Sequence, residues 1–159
     1  MTQRLNYAQL SPDLFKKLSD FSIGIKNSAI DHKLISLVEI RASQLNGCAF
    51  CLDMHIKEAK IQGERELRLH HLAAWQESPL FDARERAVLA WTECLTRLPA
   101  DGVPDELFSE MKGQFTDKEI AELTFSVMAI NAWNRAGVAF RSVPGSADRL
   151  YGLDKANLF

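Results

Sequence analysis

A chain of 159 residues that is 47% hydrophobic and 25% charged has the size of one domain and enough apolar surface for a core, which excludes wholesale disorder and a fibrous repeat. Its 19 basic and 21 acidic residues are interspersed and leave a net charge of −2, so no electrostatic footprint for nucleic acid or an anionic membrane is present. Arg4, Asp13, Lys16, Lys17 and Asp20 interrupt the first 20 residues, and no run of about 18 apolar residues follows, so neither a secretory signal nor a spanning helix is expected and the cytoplasm is the expected location.

Ser11 and Pro12 suit the start of a first helix, in which Leu14, Phe15, Leu18 and Phe21 recur at three-to-four spacing before an end near Gly24. A second helix is predicted from Asp31 to about Leu45, with Leu34, Leu37, Val38 and Leu45 facing inward. Asn46 and Gly47 stop it, because both tolerate left-handed backbone. The third helix runs from about Cys48 to Gln62, before Gly63, and a fourth from Glu64 to Trp75, before Ser78 and Pro79.

Asp82 with Glu85 has capping-box spacing and opens a fifth helix to about Leu98. A short helix from Pro104 to about Lys112 follows. Thr116 with Glu119 repeats the capping pattern ahead of a long helix to about Arg141, the most apolar through Leu123, Val127, Ile130, Val138 and Phe140, with Gly137 weakening its continuity. From Pro144 onward the chain reads as a tail. No period-two run competes, so the fold class is all-α: a bundle of about six to seven helices forming one domain over residues 1–159, without internal repeats.

The chemistry concentrates in NGCAFCLDMH, residues 46–55. At 3.6 residues per turn, His55 lies about 20° and Cys51 about 60° around the helix from Cys48, so all three share one face. Both cysteines sit near the helix start, where free N–H groups and the positive dipole end favour thiolate over thiol. One turn also brings their Cα atoms to roughly 5 to 6 Å, within the range that closes a disulfide. His55, four residues beyond Cys51, can take the thiol proton or hand one to a leaving group. These parts suit attack of a thiolate on a peroxide O–O bond, followed by capture of the sulfenic acid by the second thiol.

Three other readings compete. Zinc could be held by Cys48, Cys51 and His55 with His70 or His71, although no second Cys-x-x-Cys or His-x₃₋₅-His is present. The cysteines could be inert packing groups or a redox sensor without turnover. A thioredoxin-type motif belongs near a βαβ pattern that is absent, and Leu52 stands where haem attachment needs a histidine.

The stretch LVEIRASQLNGCAFCLDMH, residues 37–55, resembles the alkylhydroperoxidase D-like branch of the carboxymuconolactone decarboxylase family, with weaker similarity through AVLAWTECLT and AINAWNRAGVAFR. The resemblance implies an all-helical oligomer, a trimer or hexamer, and thiol peroxidase activity on an alkyl hydroperoxide or hydrogen peroxide. The oxidised pair would be regenerated by a thiol or protein reductant, and no cofactor or metal is implied. It also implies Cys51 as the thiol that meets peroxide, Cys48 as the resolving thiol and His55 as the proton relay. A decarboxylase or isomerase relative with incidental cysteines is the alternative within the family.

Two positions depart from that pattern. The family glutamate twelve residues before the first cysteine is Ser36 here, so Glu39, one turn later, or Glu93 would have to replace it. The histidine found between the cysteines in some members is Phe50, which makes the pocket more apolar. Elsewhere, Cys94 reads as a packed thiol, and Trp75, Trp91 and Trp133 as core or interface aromatics. Asn131, Trp133, Asn134 and Arg135 interrupt the most apolar helix and suggest a pocket or, preferably, a subunit interface.

Overall fold

The structure, a computed structural model, describes residues 2–158. Among them it contains nine α-helices and no strand: α1 (Tyr7–Leu10), α2 (Pro12–Lys26), α3 (His32–Asn46), α4 (Ala49–Ile61), α5 (Glu66–His71), α6 (Ala83–Thr96), α7 (Asp105–Gln114), α8 (Asp117–Phe140) and α9 (Asp148–Tyr151). Short 3₁₀ turns, Leu72–Ala74 and Leu153–Ala156, follow α5 and α9. The two helices beyond the expected number are α1 and α9, each only four residues long.

The central element is α3, which packs against α4, α6 and α8. Its buried residues, Leu34 to Val38 without a break and then Ile40, Ala42 and Ser43, go all round the helix rather than along one stripe. A helix surrounded by others has that distribution. Asp31 caps its start, accepting from the Lys33 N–H at 2.9 Å. Leu45, expected to face inward, is only half-buried on the final turn.

The end of α3 sets up the start of α4. Gly47 takes a left-handed backbone with φ 65°, the Gly47 N–H bonds the Gln44 carbonyl, and the Cys48 N–H bonds the Ser43 carbonyl at 3.0 Å. This Schellman closure reverses the chain within one residue. Cys48 is thereby both the second residue past α3 and the N-cap of α4.

Asn131 and Asn134 of α8 brace this corner. The Asn46 amide donates to the side-chain oxygens of both, at 3.0 and 2.9 Å, and Asn134 Nδ2 donates to Ser43 Oγ at 3.0 Å. Asn131 Nδ2 also reaches Thr96 Oγ1 on α6 at 3.1 Å, and Arg135 returns to the Asn131 carbonyl. The asparagines of α8 therefore form an internal clamp between helices, and Asn131 and Arg135 also line a cleft with Leu95, Leu98 and Met128. Buried amides need partners, and here they find them within the chain.

Both predicted capping boxes are present, at Asp82–Glu85 and Thr116–Glu119. Other expectations are corrected. Helix α2 continues through Gly24 to Lys26, and Leu14 and Phe21 face outward, because α2 lies along the outside of the bundle and buries only Ile25 fully. Val138 is 49% exposed, while Gly137 beside it is buried in an unbroken helix. The segment after Pro144 is no loose tail: Lys57 on α4 holds Asp148 at 2.7 Å and Asp53 at 2.9 Å, and Leu153 is buried. The fourth helix is short, since the chain tightens into a 3₁₀ turn at Leu72.

Candidate dithiol site

Cys48 and Cys51 are joined as a disulfide across the first turn of α4, with Cα atoms 5.4 Å apart and each residue 2% exposed. Cys48 Sγ also accepts the Cys51 backbone N–H at 3.3 Å, so a sulfur occupies the place where serine or aspartate usually caps a helix. An acceptor there is stabilised by the helix's positive end, and a negative one more so.

One turn on, His55 is buried on the same helix face. Its Nδ1 lies 2.8 Å from Glu58 Oε2 and 3.1 Å from Glu39 Oε2. A single N–H serves one acceptor well; it is directed at Glu58, and Glu39 acts on the ring by charge. Lys26 of α2 completes the group, donating to Glu58 Oε1 at 2.9 Å.

Burial works against an imidazolium here, yet the charge and contact of Glu39, together with the Glu58 hydrogen bond, outweigh it and raise the His55 pKa to about 9. For Glu58, burial works the other way, and His55 with Lys26 overcomes it to lower the carboxyl pKa to about 2. His55 is thus a cation at neutral pH. With Nδ1 engaged by carboxylates, Nε2 is the ring nitrogen they leave free.

A cleft of about 200 Å³ reaches Cys48 but not Cys51 among its lining residues. Phe50, Val138, Arg141 and Ser142 form its walls, with Gly137 at its base. A β-carbon on Gly137 would lie 2.8 Å from Cys48 Sγ and 3.4 Å from Cys51 Sγ, so the missing side chain is what lets the disulfide pack this closely against α8.

Of the residues singled out in the sequence, Cys48 and Cys51 are bonded to each other, and His55, one turn further along α4, pairs with Glu39. Glu93 does not join them: its carboxylate is held by Arg41 at 2.7 Å and by the Trp75 indole N–H at 2.6 Å. Ser36 lies within 3.4 Å of Gln62 Oε1 rather than of the dithiol. Cys94 is half-buried on α6, and burial raises its thiol pKa. Glu58 was readable as the i+3 neighbour of His55 on one helix face, but nothing local marks Lys26, Gly137 or Arg141.

The zinc set of Cys48, Cys51, His55 and His70 or His71 is not assembled. His71 Nδ1 pairs with Ser78 Oγ at 3.0 Å, and His70 is exposed. Among the described residues, the cluster with metal-ligand spacing is Glu39, His55 and Glu58, whose ligand atoms lie within 4.8 Å of one another. Lys26 and the imidazolium already neutralise its two carboxylates, so the donor set carries no excess charge for a divalent cation.

The carboxymuconolactone decarboxylase family model matches residues 12–93, from α2 through most of α6. The uncharacterized protein YdfG of Bacillus subtilis is 37% identical over 139 residues, 87% of this chain and 95% of its own length. A crystal structure of a protein of unknown function from Agrobacterium tumefaciens, for which an antioxidant defence role as AhpD has been suggested, is 40% identical. It superposes with a TM-score of 0.87 over 90% of this chain and 98% of its own. The debrominase Bmp8 shares the fold at a TM-score of 0.74 and 20% identity, over 93% of this chain and 79% of that one. Among the described residues no helix is long and apolar enough to cross a membrane.

Proposed function

The chain belongs to the carboxymuconolactone decarboxylase family and has the AhpD-like fold, and from that premise we propose that it is a dithiol peroxidase acting on an alkyl hydroperoxide or hydrogen peroxide. The observation that carries this reading is the Cys48–Cys51 pair at the head of α4 with a protonated His55 one turn away.

In the reduced protein, the imidazolium and the amino end of α4 both favour thiolate at Cys51. That thiolate attacks the terminal peroxide oxygen; the S–O bond forms, the O–O bond breaks, and the departing alkoxide takes the His55 Nε2 proton. Cys51 is left as sulfenic acid. The Cys48 thiolate then attacks the Cys51 sulfur, hydroxide leaves and is protonated to water, and the disulfide closes. Glu39 and Glu58 hold the ring and keep it charged, so His55 enters the cycle as an acid rather than a base. Phe50, the residue before Cys51, stands where some family members carry a histidine and makes the surroundings of that thiol more apolar, which favours an organic hydroperoxide over hydrogen peroxide.

The proposal includes action as one domain in a homo-oligomer, a trimer or hexamer. The outward-facing Leu14, Ile23, Phe125 and Met128 supply apolar surface for assembly. Stopped-flow mixing of the reduced protein with cumene hydroperoxide or hydrogen peroxide tests the chemistry. Stoichiometric peroxide loss with a product of disulfide mass is expected, and a Cys51→Ser variant that consumes peroxide as fast as the parent overturns it.

A further inference from the structure

We propose that the cleft beside Cys48 admits the thiol that reopens the disulfide, that this thiol attacks Cys48 Sγ, and that Arg141 selects a reductant carrying a negative charge. The inference rests on the dithiol–disulfide cycle proposed above, but not on peroxide being the oxidant.

Thiol–disulfide exchange needs the incoming sulfur in line with the S–S bond, and it goes faster when the departing thiol has the lower pKa. Access and stabilisation of the departing sulfur single out the same atom. The cleft is lined by Cys48 and not Cys51, so Cys48 is the sulfur that an entering thiol meets. Attack there expels Cys51, the sulfur only one helical turn from the His55 cation. The new bond joins the reductant to Cys48, the Cys48–Cys51 bond breaks, and its electron pair goes to Cys51, which His55 stabilises or protonates. A second thiolate then attacks the reductant's own sulfur in the mixed disulfide, releasing Cys48 as thiolate and the two reductant sulfurs as a disulfide. Two electrons enter and the pair is restored.

The walls give the charge preference. No acidic side chain lines the cleft, and Arg141 is exposed there with no carboxylate partner among the described residues. It stands at the C-cap of α8 in left-handed backbone, φ 55°, a conformation rare outside glycine that plants the root of the side chain at the cleft edge. Ser142, 8% exposed, also lines the cleft, and its hydroxyl is without a hydrogen-bond partner among the described residues. A short thiol with an anionic end meets an apolar flank, a cation and a free hydroxyl around the sulfur.

The test uses the oxidised full chain and three probes of one skeleton: 2-mercaptoethanesulfonate, 2-mercaptoethanol and 2-aminoethanethiol. Exchange is quenched with acid and an alkylating agent, and the adduct is mapped by peptide mass spectrometry. The adduct is expected on Cys48 with Cys51 alkylated. The sulfonate-to-amine rate ratio is expected to fall roughly 5- to 10-fold in Arg141→Asn, which keeps a residue tolerant of the left-handed backbone, and to return in Arg141→Lys. Taking the ratio within each variant cancels the intrinsic reactivities of the thiols. An adduct on Cys51, or a ratio that Arg141→Asn leaves unchanged, overturns the proposal. A protein that exchanges as expected but ignores peroxide sinks the peroxidase reading alone.

Discussion

Glu58 accepts from two cations on two helices, from His55 Nδ1 at 2.8 Å and from Lys26 Nζ at 2.9 Å. Glu39 faces the same imidazole from α3, so α3 and α4 meet at one ring and α2 joins them through Glu58. Removing one carboxylate changes the protonation of His55 without removing the ring. Glu58→Gln is expected to lower the His55 pKa from about 9 toward that of free imidazole. If His55 donates the proton to the leaving alkoxide, the alkaline limb of the peroxide-reduction profile shifts to lower pH in the variant. The rate at pH 8 falls roughly 10-fold while that at pH 6 changes little. A profile that keeps its position would show that His55 does not act as the acid.

The same group makes stability depend on pH. The folded pKa of His55 is raised above its ordinary 6.5, so its contribution is full below 6.5 and is lost as pH rises through about 9. Glu58 is lowered from 4.5, so its contribution is full above 4.5 and is lost as pH falls through about 2. The two shifts largely describe one ion pair and are counted once. Urea denaturation of the oxidised protein is expected to show a loss on the order of 2 kcal/mol between about pH 6 and about pH 10 that is absent in His55→Gln. Equal losses in both proteins would place the titration elsewhere.

Gly137 bears on redox balance through shape. Alanine is ordinarily favoured over glycine inside a helix by about 1 kcal/mol, whereas overfilling a packed site costs about 1 to 3 kcal/mol. A methyl 2.8 Å from Cys48 Sγ puts the second term ahead in the disulfide form. In the dithiol form the sulfurs are free to rotate away, so the first term prevails. Gly137→Ala is therefore expected to destabilise the oxidised protein and spare the reduced one. The disulfide then becomes easier to reduce, by a factor of roughly 10 in its equilibrium with a reference dithiol. Thiol titration against dithiothreitol buffers reads this directly.

These relationships separate what local spacing could reveal from what it could not. The Asp82–Glu85 and Thr116–Glu119 caps, the Gly47 stop and the 5.4 Å approach of Cys48 to Cys51 follow from the period of one helix, and all were legible. Glu39 was legible as a candidate, because residues on one face of α3 can be counted. Setting Glu93 aside in favour of it required knowing that Arg41 and Trp75 take the Glu93 carboxylate. Lys26 lies 32 residues from Glu58, and Lys57 lies 91 from Asp148; such pairs are made by packing, and pattern carries no trace of them. The exposure of Val138 follows from the same cause, since an apolar stripe shows that a face exists but not whether a neighbour covers all of it.

The last expectation concerns the clamp behind the dithiol. Asn134 is 1% exposed and links Asn46 to Ser43, the residues that end α3 just before Gly47 turns the chain into Cys48. Asn134→Ala removes an acceptor and a donor from a buried network and leaves a small void, at a cost of roughly 2 to 4 kcal/mol in chemical denaturation. Asn46 keeps its bond to Asn131, and Ser43 still donates to the Glu39 carbonyl at 2.7 Å, so the fold is expected to survive. What loosens is the corner that holds Cys48 as the cap of α4. Amide hydrogen exchange at residues 46–51 should therefore accelerate more than in α6 or α7, and reduction of the disulfide by a neutral thiol should quicken alongside it. Uniform acceleration across all helices would mean that the asparagines support global stability only and do not position the site.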